Sequence, residues 1–172
     1  SAPFVMAPAN TRVVRRSSAI LDENQSGYGH NFVYNEFMSV KKYSTALAIS
    51  ASLIIFGIIL SMPFRRIFRP LFTKPGNGPS VKTQNDGWFK GIFIIETDDG
   101  KKYKSSIYGE GDPGYKSTAR FACESALCLI KNTKELPNIE GGVLTSATGL
   151  GNALVKRLSE KGVIFEKPSE IT

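Results

Sequence analysis

The sequence predicts an α+β fold: a mainly antiparallel sheet with packed helices, interrupted by one long hydrophobic helix. Three patterns point there. Residues Trp88 to Thr97 alternate as a strand and meet a second strand-like segment, Lys101 to Tyr108, through Asp99-Gly100. Two later segments carry the 3.6-residue apolar period of amphipathic helices. Between the N-terminal region and this part lies Tyr43 to Phe64, YSTALAISASLIIFGIILSMPF, which holds no charged residue.

The N-terminal region reads as one helix and one strand. Residues 1–9, with two prolines, form an extended lead-in. Asn10 is placed to cap a helix through about Leu21, with Val13, Val14, Ser17, Ile20 and Leu21 on one face and Arg12, Arg15 and Arg16 off it. Residues 22–31 are a loop by composition, and Phe32 to Val40 alternates with the aromatic enrichment of a strand. His30 is the single histidine, and it has no Ser or Cys beside it to build a catalytic pair.

Tyr43 to Phe64 has the length of a bilayer span. Its 22 residues would make a helix of roughly 33 Å, about the thickness of a hydrocarbon core. Its second half is the more apolar, with Leu53, Ile54, Ile55, Phe56, Ile58, Ile59 and Leu60 in near-continuous run. Pro63 then bends the chain, and PFRRIFRPLFTK follows. There Phe64, Ile67 and Phe68 fall on one stripe with Leu71 and Phe72, while Arg65, Arg66 and Arg69 fall off it. Apolar residues on one side and arginines on the other suit a helix lying in a membrane interface. The expectation is an anchor over 43–72, either a full span or a hairpin dipping into one leaflet. A buried helix of a large enzyme is the competing reading.

Four segments result: 1–42, part of one domain; 43–72, the anchor; 73–87, a linker rich in Pro, Gly and Asn; and 88–172, a C-terminal α+β portion of the same domain. Both faces of Trp88–Thr97 are apolar, which places it centrally in its sheet, with the more polar Lys101–Tyr108 nearer an edge. Gly109 to Gly114 spells G-x-G-x-x-G, but it follows half of an antiparallel hairpin, and Pro113 removes a backbone donor where a pyrophosphate would need one. Asp112 capping a helix with Pro113 at its first position is the better reading. Tyr115, Ala119, Ala122, Cys123, Ala126, Leu127 and Ile130 form that helix's apolar face. In a second helix Leu150, Ala153, Leu154 and Leu158 point inward, Gly162 ends it, and Val163 to Phe165 makes a short last strand.

Charge and cysteine content exclude some classes. Residues 1–74 hold 9 of the 22 Lys and Arg but only 3 of the 15 Asp and Glu, so the basic excess flanks the apolar stretch. A nucleic-acid binder spreads its cations over a folded face instead, and no nucleic acid is expected as a partner. Cys123 and Cys128 diverge by about 140° on a helix, which rules against a disulfide between them, and two thiols fall short of a zinc site. No metal site is expected. Asp112, Tyr115 and Glu124 are the polar residues to test first for catalysis, against the plainer roles of helix cap, core-edge aromatic and solvated charge.

Several stretches resemble the C-terminal part of the saccharopine dehydrogenase-like oxidoreductase family: GDPGY (111–115), ESALCL (124–129) and GGVLTSATGLGNALVKRLSEKGVIFE (141–166), with VVRRSSAIL (13–21), NFVYNEFMS (31–39) and the apolar insert in the same order. Ser146 departs from the Pro common there. The resemblance implies a fragment of a Rossmann-type oxidoreductase without its N-terminal Rossmann domain, whose NAD(P) would bind the full-length relative and not this chain. It also implies membrane or lipid-droplet association, on a lipid droplet, mitochondrion or other intracellular membrane, and a role in lipid or glycolipid metabolism. Bacterial relatives that reduce enoyl lipids belong to the same implication. A non-enzymatic lipid-surface or scaffold module is the alternative expectation, and a homo-oligomer is a further possible state.

Overall fold

A computed structural model describes residues 1–23, 27–61, 76–137 and 141–171, which fall into two compact units, Ser1–Gly78 and Pro79–Thr172. In the first unit, β1 (Ala2–Pro3) pairs antiparallel with β2 (Phe37–Met38), with Ala2 opposite Met38. Only these two residues of the expected 32–40 strand are paired. Helix α1 runs Ala7–Glu23, three residues ahead of the expected start. Pro8 lies in its first turn, where a missing N–H leaves no bond unmade. Asn10 is therefore inside the helix and not its cap, and its side-chain amide donates to Glu36 at 2.9 Å. Ser17, Ser18 and Ile20 are the buried residues of α1, and Arg12, Arg15 and Arg16 are exposed as expected. Helix α2, Tyr43–Ser61, packs against β1 and buries only Ala46.

The second unit begins with α3, Val81–Asp86, a six-residue helix inside the stretch read as linker. Ser80 caps it by accepting from the Thr83 N–H at 3.1 Å. Strands β3 (Trp88–Glu96), β4 (Lys102–Glu110) and β5 (Ile164–Ile171) form an antiparallel sheet in the order β3-β4-β5. The expected positions of the two hairpin strands are thus reversed: the apolar β3 is an edge and the more polar β4 is central. The last strand, expected to be short over Val163 to Phe165, runs as β5 to Ile171. The β3–β4 loop also differs from a two-residue turn. The Gly100 N–H bonds the Thr97 carbonyl at 2.8 Å, and Thr97 N–H bonds Lys101 at 3.0 Å, leaving Asp98, Asp99 and Gly100 in the loop. Gly100 has φ +79°, the left-handed conformation expected of it.

Helices α4 (Lys116–Lys131), α5 (Ser146–Gly149) and α6 (Gly151–Glu160) complete the unit, with α4 and α6 packed together. The core holds Cys128 from α4, Leu154 and Leu158 from α6, Leu150 and Ala153 beside them, and Val163. Phe89, Ile107 and Phe165 from the sheet pack on it, and Phe89 meets Phe121 edge to face at 5.6 Å. The inward set expected for α6 is the observed one. It ends in a left-handed Gly162 (φ +84°), with the Gly162 N–H on the Ser159 carbonyl at 3.1 Å and the Val163 N–H on Leu158 at 3.0 Å. These are the paired bonds of a Schellman stop. The fold is α+β with antiparallel sheets and packed helices.

Candidate functional site: an unburied apolar helix and a capped helical pair

The anchor expectation rests on α2. The helix is apolar on all sides, and at 19 residues it is about 28 Å long. In the first unit a helix of that composition should bury most of itself, yet Ile54 is 64% and Ile58 50% exposed. Of the expected anchor residues, Leu53 and Ile59 are half-buried, and Ile55, Phe56 and Leu60 are exposed with the other two. The hydroxyls do not interrupt this surface. Ser50, Ser52 and Ser61 each bond a carbonyl of their own helix, those of Ala46, Ile49 and Gly57, at 2.8–2.9 Å. A hydroxyl satisfied within its helix adds little cost in an apolar medium. One helix of this length and composition is by itself weak evidence for an anchor. Phe64, Arg65, Arg66, Ile67, Phe68 and Arg69, with the rest of the amphipathic run, lie outside the described residues.

The second cluster surrounds the start of α4. The Asp112 carboxylate accepts from the Tyr115 N–H at 2.9 Å and from the Lys116 N–H at 3.0 Å, and its carbonyl accepts from Ser117 at 3.0 Å. Asp112 is therefore a capping residue, as the sequence suggested, but Pro113 sits in the turn before the helix and not at its first position. This geometry settles what the G-x-G-x-x-G letters can hold. The preceding β4 is antiparallel, and the first helical N–H groups already hold a carboxylate where a pyrophosphate would lie. This turn does not fit a dinucleotide.

Tyr115 is 53% exposed and is no core-edge aromatic. The apolar face expected for α4 is also corrected. Ala119, Ala122, Cys123, Ala126 and Ile130 are exposed, and the helix turns Ser117, Phe121, Glu124 and Cys128 inward. Two polar members of that inward stripe hide it from an apolar count. The Ser117 hydroxyl donates to the Gly111 carbonyl at 3.0 Å. Glu124, read as a solvated charge, is buried and receives Arg157 Nη2 at 2.6 Å and Nε at 2.9 Å. Arg157 also donates to Asn132 at 3.1 Å, so one guanidinium ties α6 to the middle of α4 and to its C-terminal cap. The sequence signal for this pair was the Ser117, Phe121, Glu124, Cys128 spacing of 4, 3 and 4 residues, a full inward face once polar members are allowed. Burial pushes the adjacent Cys128 thiol up, while Arg157 pulls it down to a lesser degree. His30 lies in a turn and is exposed. Among the described residues no three His, Cys, Asp or Glu side chains could hold a metal ion.

Comparison with known proteins gives one consistent set. The chain is 38% identical over 96% of its length to a Mycobacterium tuberculosis protein provisionally named a trans-acting enoyl reductase. It is 37% identical over 94% to the trans-acting enoyl reductase of Mycobacterium bovis and 36% identical over 94% to that of Mycobacterium ulcerans. It spans about two fifths of the length of these relatives, 41%, 40% and 39% respectively. No family model matches, and no solved structure matches. These names correct the family expectation. Relatives that align along nearly the whole chain are trans-acting enoyl reductases and not saccharopine dehydrogenase-like proteins. The saccharopine dehydrogenase-like function is withdrawn. So are the lipid-droplet and glycolipid expectations, which rested on that resemblance alone.

Proposed function

We propose that this chain is the membrane-docked portion of an enoyl reductase that acts in trans on unsaturated acyl chains. The relatives' names support the reaction class. The observation that carries the docking is α2, a charge-free helix with a single buried residue, whereas the other long helices among the described residues, α1, α4 and α6, are amphipathic and each bury three residues. Reduction of an enoyl group adds a hydride to the β-carbon and a proton to the α-carbon. We assign hydride delivery by a nicotinamide cofactor to the part of the relatives' length that this chain does not span, since Asp112 fills the helix start that follows Gly109 to Gly114. The role left to this chain is positional. It holds the reductase at a lipid surface, where an acyl substrate concentrates.

Flotation with phosphatidylcholine vesicles tests this reading. The chain should rise with the vesicles at high salt, because the attachment is apolar. An Ile54→Arg, Ile58→Arg double substitution should leave the chain at the bottom of the gradient, since each arginine costs about 2.5–3.5 kcal/mol at a helix centre in a bilayer. Flotation of both forms alike, or of neither, would sink the proposal.

A further inference from the structure

We infer that the outer edge of β3 is self-complementary and pairs with β3 of a second copy across a two-fold axis at Phe93, joining two three-stranded sheets into one. The two edges of the sheet are built differently. The β5 edge carries Glu166, Lys167, Pro168 and Glu170, and its register with β4 shifts between Lys104 and Ser106. Proline, charge and irregularity are the devices that keep an edge from pairing. The β3 edge, WFKGIFIIE, has no proline and holds an unbroken register with β4. Its residues stay open, with Trp88 62% and Ile94 60% exposed.

Backbone geometry says which residues face outward. Thr97 N–H bonds Lys101, and the Gly87 carbonyl accepts from Gly111, so the odd-numbered residues between them aim their backbone groups at β4. Lys90, Ile92, Ile94 and Glu96 therefore present their N–H and C=O groups at the free edge. Antiparallel pairing of two such edges is possible about several centres. Charge selects one. Lys90 and Glu96 share a sheet face, and each stands three residues from Phe93. A two-fold axis at Phe93 sets Lys90 against Glu96 of the second copy, twice, with Ile92 opposite Ile94 and the two Phe93 rings side by side. Gly91 then falls opposite Ile95. A Cβ on Gly91 would lie 2.8 Å from the Ile107 side chain, so this position is already held to glycine within its own sheet. An axis one residue earlier, at Ile92, would bury Lys90 against Ile94 and Glu96 against Trp88. Within its own chain Glu96 has an exposed pair with Lys102 at 3.6 Å, and a carboxylate has acceptor sites for both lysines.

The pairing is independent of lipid attachment and of reductase activity, and it is read separately. Sedimentation of the full 172-residue chain in detergent micelles should show a dimer. Lys90→Glu and Glu96→Lys, each alone, should weaken it about tenfold or more, because two opposed pairs become like-charged. The double exchange Lys90→Glu, Glu96→Lys should restore it. Register is read by cross-linking. In a Cys123→Ser background, oxidised Phe93→Cys should form a disulfide-linked dimer, since facing residues of a non-hydrogen-bonded pair lie about 4.5 Å apart. Ile92→Cys, offset by two residues from its symmetry mate, should not. Equal cross-linking at both positions, single charge variants that associate like the parent, or a monomer throughout would overturn the inference. So would an edge that cross-links only to the remaining portion of a full-length relative.

Discussion

Arg157 fixes the relation of α4 to α6 through a pair that water barely reaches, with side-chain exposures of 15% for Arg157 and 9% for Glu124. Removing one partner leaves the other charged and buried. Glu124→Ala should cost about 3–5 kcal/mol in urea unfolding of the chain in micelles, whereas Glu124→Leu with Arg157→Met should cost far less. Equal losses would show that the site needs shape and not charge balance. Tyr34 offers a pH test. Partial burial, then its hydrogen bond to Glu36, pushes its phenol up to about 12 from an ordinary 10. The folded state therefore holds this proton more tightly than the unfolded chain. The stabilisation is fully present below pH 10 and lost as pH rises from 10 to 12. One of the six tyrosines should ionise near pH 12 in an ultraviolet titration, and Tyr34→Phe should abolish that step. At this scale the sequence was hard to read. Glu124 and Ser117 look solvated in a linear pattern because their partners, Arg157 and the Gly111 carbonyl, are set by tertiary packing.

Local signals for the helices and turns were more legible where chemistry is confined to a few residues. The α6 face and its Gly162 stop follow from a 3.6-residue period and one left-handed glycine. Gly162→Ala should cost about 1 kcal/mol or more, because the alanine must hold a left-handed conformation, and thermal unfolding reads it. Asp112 was legible as a cap because a carboxylate two or three residues ahead of an amphipathic run has few other uses. The start of α1 was not. Asn10 has the chemistry of a cap, but β1–β2 pairing and Glu36 draw it into the helix flank, and the first turn closes on the carbonyls of Phe4 and Met6 instead. The order of β3 and β4 was misread for a related reason. Two apolar faces normally mean a strand buried between neighbours, yet among the described residues β3 has one neighbour. Its composition fits a strand whose second neighbour is another edge.

At the scale of the whole molecule, the exposed apolar surfaces are the features that need a function. They are α2 in the first unit and the β3 edge in the second, each described within its own unit. Isolated exposed apolar residues are ordinary, but a helix and a strand left open along their length mark surfaces that meet lipid or protein. α2 was legible from its length and lack of charge; the names of the relatives were not, and they correct the family expectation drawn from short motifs. The most direct test of the account is the depth of α2. An environment-sensitive NBD fluorophore attached at Ile55→Cys, in a chain lacking Cys123 and Cys128, should shift to the blue on adding vesicles. Lipids brominated midway along their acyl chains should quench it strongly. An emission spectrum unchanged by vesicles, with no quenching, would contradict a membrane-docked reductase portion.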